Sequence, residues 1–252
     1  MKSTKKIWAN SLRLLAVTLV ALIGFSLTAC PTDSGGDDSV PSFLGERLEL
    51  SGQVSLVKDM WTEGSISYEN FTGDLAIRDY YGGSGEIKGG LFSYSIGTPS
   101  GYYLKTLDPG SDFFDGYADV TLSDAAVQYM VLESFGIRDN DDYTYLYRQS
   151  QTSRKSGDTE ITTTENVVYV YVDKDITVNG KGKTYEDRWG FTTTVTTYDF
   201  SLELKAGWNA IYNKSVDSDN WRDDKYTRTD TMSLGNPNNL KWVLRGWYEY
   251  GG

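Results

Sequence analysis

The stretch LELSGQVSL, residues 48–56, alternates apolar and polar side chains. In an extended chain successive side chains point to opposite faces. Leu48, Leu50, Val54 and Leu56 therefore share one face, and Glu49, Ser51, Gln53 and Ser55 the other. A period of two identifies a strand buried on one side. The same reading extends outward along the chain. YDFSLELK (198–205) turns Tyr198, Phe200, Leu202 and Leu204 one way and Asp199, Ser201, Glu203 and Lys205 the other. LFSYSIG (91–97) puts Phe92, Tyr94 and Ile96 on one face. VVYVYV (167–172) is apolar at every position, as expected of a central strand covered on both faces.

Turn signals separate these runs: YYGGSGE (80–86), IKGG (87–90), TPSG (98–101), DPGSD (108–112), RDNDD (138–142), VNGKGK (178–183), KAGWN (205–209) and LGNPNN (234–239). No segment carries a clean 3.6-residue apolar period. In SDAAVQYMVLESFG (123–136) Asp124 could cap a helix, but Val127, Tyr129 and Val131 against Gln128, Met130 and Leu132 favour a strand. Short strands joined by Gly-rich turns predict an all-β fold, an antiparallel β-sandwich built as one large unit or two packed small ones. The expected organisation is a signal segment (1–29), an acidic linker (30–44), and β units at 45–137 and 138–252, the last boundary falling at RDNDD.

The leader has a basic start, MKSTKKIWANSLR, and an apolar run of 14 residues, LLAVTLVALIGFSL. That run is too short for a comfortable transmembrane helix, which needs about 20 apolar residues, and suits a secretory signal. Leu27-Thr28-Ala29-Cys30 resembles the lipobox of bacterial lipoproteins. The resemblance implies that signal peptidase recognises Leu27, Thr28 and Ala29 and cuts before Cys30, whose thiol and new amine carry acyl chains. Two chains make attachment stable where one does not. The expected location is thus the bacterial cell envelope, at the outer membrane or cell surface, since Pro31 stands where Asp would signal inner-membrane retention. PTDSGGDDSVPS (31–42) reads as a flexible acidic tether.

Two further resemblances lie in the folded part. LSGQV, GDLAI and GGLFSYSIG resemble prealbumin-like sandwich modules of bacterial surface proteins. YVYVDKDITVNG and YDFSLELKAGWNAIY are similar to phrases in uncharacterised spirochaete lipoproteins. Neither implies an activity.

Composition narrows the function. The net charge is −11, and without the four cations of the leader 20 Lys+Arg face 35 Asp+Glu, or −15. Such a surface repels phosphate, so nucleic acid is not an expected partner. With no histidine and one cysteine, the commonest general base, the histidine triads and Cys-based zinc sites all drop out. GKGKT (180–184) ends like a P-loop, but Thr177 stands where that motif needs glycine.

Three acidic clusters remain as oxygen donors: Asp108, Asp112 and Asp115; Asp139, Asp141 and Asp142; and Asp217, Asp219, Asp223 and Asp224. Ca2+, which takes six to eight oxygens, is the ion they could hold, chiefly through Asp217, Asp219, Asp223, Asp139 and Asp141. Solvated loops with Asx turns explain the same residues. DSDNW (217–221) starts like an EF-hand loop but puts Trp221 at a ligand position. Carboxylate pairs could run glycoside hydrolysis, but no spacing singles one out among 35 acids.

Trp208 and Trp242 are expected in the core, and Trp221 exposed in its acidic loop. The pairs Tyr80–Tyr81 and Tyr102–Tyr103 lie beside Gly-rich turns, where one ring of each pair must face outward. Trp221, Tyr80 and Tyr81 are the candidate contacts to a protein or glycan ligand. The expected function is a non-enzymatic binding, adhesion or structural role at the membrane, reached through the lipid anchor, with no cofactor. A Ca2+- or glycan-binding module and a carboxylate-based hydrolase are the alternatives.

Overall fold

Strands follow one another through nearly the whole folded part. The computed structural model describes residues 42–59, 67–78, 81–114, 117–139, 142–188, 192–220, 222–223 and 225–246, all within one compact unit. In chain order the strands are β1 (Phe43–Gly45), β2 (Leu48–Asp59), β3 (Ser67–Asn70), β4 (Leu75–Arg78), β5 (Ser84–Lys88), β6 (Leu91–Ile96), β7 (Lys105–Thr106), β8 (Val120–Leu122) and β9 (Gln128–Leu132). They continue with β10 (Phe135–Asp139), β11 (Asp142–Ser156), β12 (Thr159–Val172), β13 (Ile176–Arg188), β14 (Thr192–Leu204), β15 (Gly207–Asn220), β16 (Lys225–Leu234) and β17 (Lys241–Gly246). The fold is all-β, as the sequence predicts, and among the described residues the only helical segment is a single 3-10 turn at Asp112–Phe114.

The first core lies inside a closed ring. β2 pairs with β6, β6 with β5, β5 with β4, β4 with β10, β10 with β11 and the first part of β11 with β17, all antiparallel. β17 then runs parallel to β2, with Trp242 opposite Val54 and Leu244 opposite Leu56, and the ring closes. Seven strands cannot alternate direction all the way round a ring, so one neighbouring pair must be parallel. Closure removes the edges that these strands would otherwise expose. Period-two alternation fills the interior: Leu48, Leu50 and Val54 from β2, Phe92, Tyr94 and Ile96 from β6, and Leu146 and Trp242 are buried. Phe92 stands 4.4 Å from the Trp242 ring and 5.3 Å from Phe135, and Tyr94 stands 4.7 Å from Phe135. Each buried ring or large aliphatic side chain contributes roughly 1.5–3 kcal/mol.

A second array runs β8–β13–β14–β16–β15–β12–β9–β7, with β14 and β16 parallel. Its core gathers Val127, Val168, Val170, Val172, Phe200, Leu202 and Ile211. β12 is the wall between the two cores. Val167 and Tyr169 point into the ring-side core, while Val168, Val170 and Val172 point into the other. This accounts for the unbroken apolar run VVYVYV. β15 does the same with Trp208 and Ala210 on one side and Ile211 on the other. Trp208 and Trp242 are both buried as expected, and each indole N–H donates to a backbone carbonyl: Gly97 at 3.0 Å and Ser51 at 3.1 Å.

Two expectations about turns change. VNGKGK is not a turn, because β13 and β14 pair without interruption from Ile176 opposite Leu204 to Arg188 opposite Thr192. Gly180 faces Phe200 and Gly182 faces Tyr198. The two glycines leave room for the rings that lie over them, which is a strand use of glycine rather than a bend. DSDNW is likewise not a loop at its start, since Asp217–Asn220 belong to β15. The RDNDD stretch is the connection of the β10–β11 hairpin, and pairings of β1 with β15, β2 with β17, β8 with β13 and β9 with β12 join residues on either side of it.

Candidate functional site

Tyr103 ends a turn in which its N–H donates to Ser100 O at 2.9 Å. The turn sends the chain into β7 and leaves Tyr102, 89% exposed, projecting into solvent, while Tyr103 packs partly against the ring-side core. Tyr81 reaches the same place from the start of the β4–β5 segment. Its ring meets Tyr103 edge-on at 5.5 Å, and Tyr103 meets Tyr102 edge-on at 5.2 Å. Opposite stands Phe113 of the 3-10 turn, stacked edge-on against the buried Phe114 at 4.8 Å.

Between these walls runs a groove of about 300 Å³, and its floor is the continuous stretch Tyr129 to Ser134 of β9 and the residues after it. Lys105 Nζ and Asp112 Oδ2 pair across one end at 2.8 Å. Their hydrogen bond and mutual charge raise the lysine above its ordinary range and hold the carboxyl below its own. Glu133 lies on the floor as well, and no described cation pairs with it.

Of the ligand contacts expected from sequence, Tyr81 lies in this groove, whereas Tyr80 and Trp221 fall outside the described residues. Asp112 belongs to one of the acidic clusters read from sequence as oxygen donors but here pairs with Lys105; Phe113, Lys105 and Glu133 are site residues the sequence reading does not single out. Lys105, Asp112 and Phe113 come from one stretch that overlaps the turn signal DPGSD, and Glu133 follows β9; nothing in the sequence shows that the two stretches meet.

A second polar constellation is built into the β15–β16 pair. Asp230, 5% exposed, accepts from Arg228 Nε at 2.8 Å and Ser215 Oγ at 2.5 Å, and from the Tyr117 hydroxyl at 3.3 Å. Burial first, and then the Asp230 charge, push the Tyr117 hydroxyl well above the ordinary tyrosine range. Asp230 thus takes bonds from three side chains, and the cluster ties the loop bearing Tyr117 to the sheet.

The acidic candidates for Ca2+ are spread along strands and turns. Asp217 on β15 accepts from the Tyr226 hydroxyl at 2.5 Å, and Asp223 accepts from Asn220 Nδ2 at 2.9 Å within its own turn. Asp219 sits two residues further along the same strand face as Asp217, and Asp139 lies on the β10 end of its hairpin. Asp141 lies outside the described residues, as do Leu27, Thr28, Ala29 and Cys30. Among the described residues no group of three or more carboxylates or other ligating side chains converges to hold a metal ion. A wider depression of about 750 Å³ lies on the outside of β2, β5 and β6, and Glu49, Ser51, Glu86 and Ser93 lead its lining. It is made by small outward-facing side chains of the ring. No known protein family, curated protein or solved structure matches the chain.

Proposed function

We propose that the protein is a lipid-anchored envelope protein, held by acyl chains on Cys30, whose folded part acts as a non-enzymatic binding module. The anchor rests on the lipobox-like Leu27–Cys30 and the acidic tether that follows it. The binding role rests on one observation above the others: the groove walled by Tyr81, Tyr103 and Phe113, next to a tyrosine that is 89% exposed. Tyrosine offers large contact area with little entropy to lose and a hydroxyl for one directed bond. Exposing such a ring costs apolar hydration that a ligand recovers.

The test has two arms. Cells expressing the protein are grown with labelled palmitate, and the wild type takes up label and fractionates with membranes while Cys30→Ala does neither. Label retained by Cys30→Ala refutes the anchor. Separately, the wild type and a Tyr81→Ala/Tyr103→Ala variant are compared for ligand capture from envelope extracts and glycan arrays. Equal capture by both proteins refutes the groove as the binding surface.

A further inference from the structure

β9 uses one side fully and the other only in part. On one side Tyr129 to Leu132 pair with Val172 to Tyr169 of β12. On the other side β7 pairs with Tyr129 and Gln128 and then stops, because the Tyr103 turn takes the chain away. In an antiparallel strand alternate residues direct their N–H and C=O to opposite sides. The Gln128 carbonyl accepts from Asp173 N–H on the β12 side, and the Val127 carbonyl accepts from Leu107 N–H on the β7 side. Odd-numbered residues therefore face β7. Val131, the last odd-numbered residue of β9, turns its N–H and C=O into the groove past the end of β7, where no described strand takes them.

Resting on the binding-module reading, we propose that this groove takes an extended peptide segment of a partner protein as an added strand, antiparallel to β9 and in line with β7. The open edge at Val131 supplies the main-chain bonds, and Tyr81, Tyr103 and Phe113 receive the apolar side chains of the segment. Strand addition of this kind draws affinity from backbone bonds and specificity from pockets for alternate side chains. The charge selects the segment further. Lys105 and Asp112 neutralise each other, which leaves Glu133 to set the sign, in a chain that is −15 beyond its leader. The segment is therefore one that alternates apolar residues and carries Lys or Arg. Tyr81 and Tyr103 stand nearly perpendicular to each other, at 80°, with Phe113 opposite. They form the walls of a slot over a backbone floor, and this favours a strand over a flat sugar ring.

The detergent-solubilised full chain is panned against a random dodecapeptide phage library, and synthetic winners are measured by fluorescence polarisation. Winners are expected to alternate apolar residues and to carry a cation. N-methylation of every second residue should weaken binding at least about tenfold in one phase and less than about twofold in the other, because only one phase faces β9. Tyr103→Ala should weaken binding about tenfold, and Glu133→Lys, which lies on the surface and leaves the fold intact, should turn the selected charge acidic. Bound peptide should slow hydrogen exchange at the Val131 amide. No enrichment, winners equally sensitive to N-methylation in both phases, or binding indifferent to Tyr103→Ala and Glu133→Lys overturns the proposal. A glycan-array signal lost in Tyr103→Ala, with no peptide selected, overturns it too but leaves the binding module standing.

Discussion

Replacing Gly180 by alanine tests the idea that the glycines of β13 are spaces for rings. A Cβ built on Gly180 lies 2.6 Å from Phe200 Cε1 and closer still to Cζ, whereas relaxed carbon contacts begin near 3.5 Å. The ring must therefore retreat by about 1 Å. It has little room, since Phe200 is buried in the second core with Tyr117 at 5.6 Å and Tyr198 at 6.3 Å. Overpacking of this kind costs about 1–3 kcal/mol. Alanine gains back about 0.5–1 kcal/mol over glycine in an extended strand, so the expected net loss is about 0.5–2 kcal/mol, or about 1–8 °C in Tm for a domain of this size. In a Phe200→Leu background the obstacle is gone, and the same Gly180→Ala change should be neutral or stabilising. The coupling in this double-mutant cycle is then the overpacking cost itself, about 1–3 kcal/mol. Urea denaturation followed by tryptophan fluorescence on all four proteins measures it. A Gly180→Ala protein within 0.5 kcal/mol of wild type, with no coupling to Phe200, refutes the reasoning.

Two further substitutions probe the buried polar groups. Asp230→Ala strips three donors of their acceptor, and with the Arg228 side chain 43% exposed the loss should be about 2–3 kcal/mol rather than the full cost of breaking a buried pair; denaturation showing under 0.5 kcal/mol would mean that the cluster holds nothing together. The Tyr169 hydroxyl is buried beside Arg148 and makes no well-formed hydrogen bond among the described residues; burial pushes its pKa up to about 12, with the Arg148 charge opposing. A folded value above the unfolded value of about 10 contributes stability that is complete below pH 10 and is lost as pH rises from 10 through about 12. Tyr169→Phe should therefore leave stability at pH 8 unchanged or up to about 1 kcal/mol higher and should flatten its fall above pH 10. Urea midpoints at pH 8 and pH 11 decide, and a loss above 1 kcal/mol at pH 8 counts against it.

What the sequence makes legible is whatever a period of two encodes. β14 shows this best: Tyr198, Phe200, Leu202 and Leu204 are buried, and Asp199, Ser201 and Glu203 are exposed. The limits of that code are equally physical. In YTRTDTM (226–232) the alternation puts Tyr226, Arg228, Asp230 and Met232 on one face, and their polarity reads as solvent. Yet Asp230 is buried, because Arg228, Ser215 and Tyr117 supply the bonds that water would. Glycine is ambiguous in the same way. Gly180 and Gly182 look like turn residues until Phe200 and Tyr198 are known to lie across from them, and that pairing is set by register between strands. The parallel pairs β2–β17 and β14–β16 leave no local trace, since side-chain period does not record strand direction. The groove is illegible for the same reason, because its walls are Tyr81, Tyr103, Phe113 and β9, four segments joined only by the fold.

Two cores that share a wall also limit what the strands of that wall can do. β9 sends Met130 and Leu132 into the ring-side core and Tyr129 and Val131 toward the second. With side chains committed on both faces, the strand has one unused resource, the N–H and C=O groups along its free edge. β12 has none at the corresponding residues, for Tyr169 to Val172 are paired with β9 on one side and with β15 on the other. The position of the groove thus follows from the architecture. Where a doubly covered strand outruns its short neighbour β7, the open backbone sits at the meeting line of the two cores. Rings needed for packing at that line, Tyr103 on one side and Phe113 on the other, are then already in place to flank it.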